Sequence, residues 1–151
     1  VLDVVGCRFQ EVFSLLFGGG TAQIVLTDPD NILTGGIDFY IQPPGKKRQQ
    51  LTLLSGGERA LTVIALLFSF LDYRPAPFCV LDEVDAALDE ANVERFSSYL
   101  NRVNKETQFI VVSHRKKTME AAEVLQGVTM VERGVSRLLT VAFEDVKEDL
   151  A

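Results

Sequence analysis

The sequence has 151 residues, 47% hydrophobic and 24% charged, the size and balance of a single soluble globular domain able to bury its own core. Its net charge of −6 excludes a chain that is mainly a polyanion binder, and its longest apolar run, 61–71, is interrupted by Thr62 and Ser69 and falls short of the roughly 20 residues that cross a bilayer. Cys7 and Cys79, with no histidine beside them, exclude a zinc cluster or disulfide framework and read as small hydrophobes in a reducing cytosol. No basic stretch with a cleavage site follows Val1, so no secretory signal is expected, and a start without Met suggests a fragment or processed piece.

Residues 3–17 place Val5, Phe9, Val12, Phe13, Leu16 and Phe17 at helical spacing, and Gly18-Gly19-Gly20 ends the predicted helix. Residues 21–27 and 37–42 are rich in β-branched and aromatic side chains and read as strands, separated by the turn formers Asp28-Pro29-Asp30-Asn31 and Thr34-Gly35-Gly36. A third strand is expected at 51–53, after the basic loop 43–50. The glycines at 18–20 do not make a phosphate loop, because they follow a helix and carry no lysine. Gly45-Lys46 fails as well, since Lys47 stands where Ser or Thr belongs. The chain contains no Walker A motif.

Leu54-Ser55-Gly56-Gly57-Glu58 opens a long helix whose apolar positions fill 61–71. Ser55 with Glu58 three residues on is a capping box, yet Gly56 and Gly57 each cost up to about 1 kcal/mol against Ala in a first turn. Glycines there leave bare backbone N–H groups at the positive end of the helix dipole, the way proteins approach a phosphate closely.

Phe78-Cys79-Val80-Leu81-Asp82-Glu83 runs from four apolar residues into two carboxylates. Such a run reads as a strand buried on both faces, as in a parallel sheet, with Asp82 and Glu83 at its carboxyl end, where open α/β sheets keep their ligand crevice. Neighbouring acids on opposite sides of the pleat suit two tasks, holding a metal ion and orienting or deprotonating a water. This is the Walker B arrangement of nucleotide hydrolases. Asp89 is an N-cap candidate for a helix running to about residue 105, with Asp85 left unexplained. Residues 108–112 form a second buried strand ending in Ser113 and His114, the only histidine. A helix over 116–122 and two strands, 127–132 and 135–143, joined by Arg133-Gly134 complete the fold, and the acidic tail 144–151 is expected to fray. Two basic clusters, Lys46-Lys47-Arg48 and Arg115-Lys116-Lys117, run against the overall charge.

Taken together, these motifs identify the chain as resembling an ABC-type ATPase. Leu54 to Glu58 resembles the signature motif, Phe78 to Glu83 the Walker B strand, Ala87-Leu88-Asp89 the D-loop and Ser113-His114 the switch histidine. LSGGERAL from Leu54, LDEVDAALDEANVERF from Leu81 and SHRKKTMEAAEVLQGVTM from Ser113 look like the C-terminal half of a head of the SMC (structural maintenance of chromosomes) family. RFQEVFSLLFGGG and DPDNILTGGIDFYIQPPGKK look like bacterial SMC in particular.

The resemblance implies an α/β C-terminal lobe of a P-loop NTPase head: a mostly parallel sheet with helices and added antiparallel strands, incomplete without an N-terminal lobe carrying Walker A. Residues 1–17 would be the end of a coiled coil and 18–151 the lobe. It implies ATP and Mg²⁺ as ligands, Asp82 holding the metal, Glu83 activating water and His114 touching the γ-phosphate. Ser55, Gly56, Gly57, Glu58 and Asp89 would meet nucleotide across an interface with a second head. Implied partners are that head, a ScpA-type kleisin and DNA, with no membrane, in the cytoplasm and nucleoid, during chromosome condensation and segregation. Arg59 reads as a surface residue. The rival readings are another ABC-type ATPase, such as a DNA-repair head, and a kleisin-binding platform without activity of its own.

Overall fold

The computed structural model describes residues 1–31, 34–103 and 107–142. Helix α1 (Leu2–Phe17) buries Val5, Phe9, Val12, Phe13, Leu16 and Phe17, the six positions that the spacing selects. Gly18 closes it at φ 71°, its N–H bonded to Ser14 O, the left-handed cap that glycine adopts without strain. At Gly20 (φ 87°) a Cβ would stand 2.4 Å from Gln42 O, so only glycine lets the chain pass this close.

Beyond the cap, β1 (Thr21–Leu26) and β2 (Ile37–Gln42) pair antiparallel from Thr21↔Gln42 to Leu26↔Ile37. The two-residue β3 (Gln49–Gln50) adds to the other edge of β2. The strand expected at 51–53 is instead a 3-10 turn, Leu51–Leu53, closed by Leu54 N–H to Leu51 O at 3.3 Å. Leu51 and Leu54, three residues apart, both face the core while Leu53 is exposed. That is helical spacing, which apolar content alone did not distinguish from alternation.

Helix α2 (Gly56–Tyr73) buries Leu61, Thr62, Ile64, Ala65, Phe68 and Ser69. Its two buried hydroxyls bond back to their own helix, Thr62 Oγ1 to Glu58 O and Ser69 Oγ to Leu66 O, so burying them leaves no donor stranded. Helix α1 packs on α2, β1 and α3 (Glu90–Leu100). The core is aromatic: Phe68 sits among Phe96, Tyr99 and Phe109, with ring centroids 4.9–6.2 Å away, and Phe13 stacks on Phe17 at 4.1 Å.

The Walker-B-like run forms β4 (Phe78–Asp82), parallel to β5 (Gln108–Val112), with Phe78↔Gln108 and Asp82↔Val112 in register. Cys79, Leu81, Phe109 and Val111 turn to the core. The expectation of burial on both faces fails for each strand. Phe78, Val80, Ile110 and Val112 lie on the opposite face and are exposed, because no element among the described residues covers it. The expected mostly parallel sheet is likewise this one pair, β4–β5; the described strands otherwise pair antiparallel.

Helix α3 stops at Leu100 rather than near 105. Past its last fully packed side chain, Tyr99, the backbone tightens, with Arg102 N–H reaching Tyr99 O; residues 104–106 lie outside the described residues. The short α4 (Lys116–Glu120) follows β5, two residues shorter than expected. The predicted hairpin is present as β6 (Val124–Glu132) and β7 (Val135–Ala142), paired from Val124↔Ala142 to Glu132↔Val135 around Gly134. Residues 143–151, including the predicted fraying tail, lie outside the described residues.

Candidate functional site

Parallel pairing of β4 and β5 brings their carboxyl ends to one edge, and with them Asp82, Glu83, Ser113 and His114. Alternation along the strand continues the bare apolar face to Asp82, and Glu83 follows just beyond the strand with its side chain exposed. Glu83 sits at φ 48°, and among the described residues it is the only non-glycine with positive φ. A left-handed glutamate costs on the order of 1 kcal/mol and persists only where its surroundings fix it. Here its N–H bonds to Val112 O at 2.9 Å and its carbonyl accepts from Ala86 N at 3.1 Å. The exposed His114 imidazole faces it, Nδ1 lying 4.0 Å from Glu83 Oε1.

The α2 N-terminus is the second part. Ser55 Oγ accepts from Glu58 N–H, and Glu58 Oε2 accepts from Ser55 N–H at 3.2 Å and Ser55 Oγ at 2.8 Å. The capping box read from sequence is therefore formed. Lys46 Nζ reaches Glu58 Oε1 at 2.9 Å, and this hydrogen bond, more than any other influence, holds the Glu58 carboxyl below its ordinary range. In this structure the side chain expected to meet nucleotide is held by Ser55 and Lys46 at the loop ahead of α2. Gly56 is exposed, and a Cβ there would meet no atom within 4 Å, leaving the helix's first N–H groups open to an anion. At Gly57 a Cβ would lie 3.1 Å from Ala87 O, so the glycine start packs against the segment after β4. Arg59 stays at the surface, its guanidinium donating to Thr52 O and Leu54 O.

That segment, residues 83–89, joins the two parts. Asp89 caps α3 through Asn92 N–H at 2.8 Å, as its position suggests. Sequence reasoning assigned no role to Asp85, which is wholly buried and accepts from Ser113 Oγ and Thr118 Oγ1. Nor did it find the inward turn of Arg115, whose Nη2 donates to Ala86 O and Leu88 O. Nothing in an acidic run after a strand marks which carboxylate will be buried. Ser113 and Thr118, five apart across the start of a helix, were the only signal. Asp82, Glu83 and His114 are thus gathered at one strand edge, while Ser55, Gly56 and Gly57 form a separate patch tied to it through Ala87.

Among the described residues no three His, Cys, Asp or Glu side chains form a metal-ligand cluster. An exposed carboxylate such as Asp82 nonetheless fits Mg²⁺, which keeps most of its water and takes one or two carboxylates beside phosphate oxygens.

The fold is that of SMC head domains. The Smc head domain of Pyrococcus furiosus, solved with an extended coiled coil bound to the C-terminal domain of ScpA, superposes with a TM-score of 0.89 at 36% identity, over 98% of this chain and 37% of that one. A chain solved in work on ATP-driven dimerization and DNA-stimulated activation of SMC ATPases gives 0.86 at 36% identity, over 99% of this chain and 90% of that one. Residues 29–137 match the RecF/RecN/SMC N terminal domain family, and the chain belongs to that family. It is 63% identical over 141 residues to the chromosome partition protein Smc of Bacillus subtilis (strain 168). To the Smc of Lactiplantibacillus plantarum it is 56% identical over 147 residues. The chain is covered to 93% and 97% in these matches, yet spans only 12% of the length of either relative.

Proposed function

We propose that this chain is the C-terminal lobe of an SMC ATPase head, completed by an N-terminal lobe that supplies Walker A, and that ATP is bound and hydrolysed between two such heads. The observation that carries this reading is the bare apolar face of β4–β5. Phe78, Val80, Ile110 and Val112 lie exposed on a two-stranded sheet whose outer edges are both unpaired among the described residues, directly beside Asp82. An apolar face and open edges of this kind call for a covering partner. The absence of a Walker A sequence supports the same partner, and so does the extent of the solved SMC ATPase chain, 90% of which this chain covers. In this reading the lobe alone does not turn over ATP.

Asp82 would hold Mg²⁺, which would supply charge neutralisation at the phosphates. Glu83 orients the attacking water and takes its proton, while His114, beside it, hydrogen-bonds the γ-phosphate. Ser55, Gly56 and Gly57 offer hydroxyl and backbone N–H donors to the γ-phosphate held by the opposing head, with Glu58, which Lys46 holds against Ser55, and Asp89 at that interface. Residues 1–17 are the end of a coiled coil. The whole protein acts on DNA in chromosome condensation and segregation, in the cytoplasm and nucleoid, with a ScpA-type kleisin as partner.

The kleisin-platform role coexists with this one. It is favoured by the β6–β7 hairpin, which exposes Val128, Met130, Leu138 and Leu139, and by the solved Smc head bound to ScpA. In the complete head, Ser55→Arg should abolish ATP-dependent head dimerisation, whereas Glu83→Gln should bind ATP, dimerise and stay dimeric. Glu83→Gln heads that neither retain ATP nor dimerise would refute the role given to Glu83.

A further inference from the structure

Around the proposed catalytic edge, the hydrogen bonds converge on one side chain to which the mechanism gives no part. Asp85 is wholly buried, and a buried carboxylate is costly unless hydrogen bonds satisfy it. Oδ2 takes two bonds, from Ser113 Oγ and Thr118 Oγ1, while Oδ1 is buried with no hydrogen-bond partner among the described residues, so the two bonds at Oδ2 are all that anchor the carboxylate. Ser113 Oγ in turn accepts from Arg115 N–H at 2.9 Å, so the residues on both sides of His114 are fixed by this one cluster. Arg115 then reaches back to the carbonyls of Ala86 and Leu88 at 3.2 and 3.1 Å. Leu88 N–H bonds to Asp85 O and Glu83 N–H to Val112 O. The bonds close a ring running from Glu83 through Asp85 to Ser113, through His114 to Arg115, and back to the turn that leads to Asp89.

We propose that Asp85 is a positioning residue: its bonds to Ser113 and Thr118 hold the loop carrying His114 in register with the left-handed Glu83, so that acid and imidazole face the same point. The proposal rests on the reading of Glu83 as the water-activating acid. Asp85 itself touches no nucleotide. A strained backbone at Glu83 persists only if over-determined, and the ring supplies that determination from the side of β5 and α4. Small misplacement of a reacting group is enough to cost large factors in rate.

The test is made in the full-length protein carrying this sequence, measuring kcat and KM for ATP, ATP-dependent head dimerisation and Tm for Asp85→Ala, Asp85→Asn, Thr118→Val and Glu83→Gln. Asp85→Ala should lower kcat by about tenfold or more, with KM within about twofold and dimerisation kept, the pattern of an interaction lost in the transition state. Asp85→Asn, whose amide oxygen accepts from both hydroxyls, should keep kcat within about threefold of the parent, a rescue that a purely structural need for charge would not give. Thr118→Val removes one donor without changing shape and should lower kcat by roughly threefold or more, which decides the matter if Asp85→Ala does not fold. Unchanged kcat in a folded Thr118→Val or Asp85→Ala protein overturns the proposal, as does a rise in KM at constant kcat. If Glu83→Gln abolishes turnover while Asp85→Ala keeps it, the positioning role alone fails; if Glu83→Gln turns over normally, the reading of Glu83 fails and takes the proposal with it.

Discussion

Val80 offers a sharp test of the bare face of β4. Its side chain stands in the middle of the strand, 55% exposed, flanked by the exposed Phe78 and paired with the half-exposed Ile110. Val→Ala removes two methyl groups, worth about 1.6 kcal/mol if wholly buried at ~0.8 kcal/mol each. Roughly half of the side chain is already covered within this chain, so docking of a second lobe adds about 0.8 kcal/mol, near a fourfold change in Kd. Val80→Lys goes further, because it forces an ammonium group against an apolar partner at an effective penalty of several kcal/mol, a loss on the order of 100-fold or more. Neither change should matter much to this chain by itself, since surface strand substitutions stay within about 1 kcal/mol. Titration calorimetry of the chain against the N-terminal lobe, with a thermal melt of the chain alone, reads both quantities. Parental affinity for Val80→Lys would refute the reasoning, and so would unfolding of the Val80→Lys chain, which would mean that the face is packed within the chain after all.

Phe68→Ala empties the centre of the aromatic cluster of Phe96, Tyr99 and Phe109 and should cost about 3–5 kcal/mol in urea unfolding. Ser55→Ala removes the hydroxyl half of the capping box, about 1 kcal/mol, seen as a Tm drop of roughly 2–4 °C. Glu58 is held below the ordinary carboxyl range chiefly by Lys46, so its contribution is complete above that range and is lost as pH falls through the lowered folded value. Acid titration of stability should therefore fall more steeply below about pH 5 in the parent than in Glu58→Gln. Added salt should narrow the difference, because the Lys46 side chain is half exposed.

Much of this molecule is legible in its sequence where one local rule decides the outcome. The six buried positions of α1 follow from spacing alone, Gly18 from the need for a left-handed cap, and the Ser55–Glu58 box from the reach of two short side chains. The misses share a different cause. Phe78 and Val80 have the composition of core residues, yet composition does not record whether a face is covered within the chain. Leu51 reads as strand and Leu54 as the opening of the long helix, because three residues are too few to separate period 2 from period 3.6. Asp85 could not be assigned because its partners, Ser113 and Thr118, come from the loop after β5 and from α4, distant in sequence. The basic cluster at 115–117 looked uniform, yet Arg115 turns inward to two carbonyls while Lys116 and Lys117 lie 3.8 and 3.7 Å from Glu120. Long-range pairing of this kind leaves no periodic trace in the chain.

The most direct measurement is ATP hydrolysis by this chain alone, by this chain mixed or co-expressed with an N-terminal lobe of the same protein, and by that mixture carrying Glu83→Gln. The account predicts no turnover from the chain alone, turnover in the mixture and its loss with Glu83→Gln. Hydrolysis by the chain alone would contradict it, because a phosphate-binding loop would then have to exist where the sequence has none.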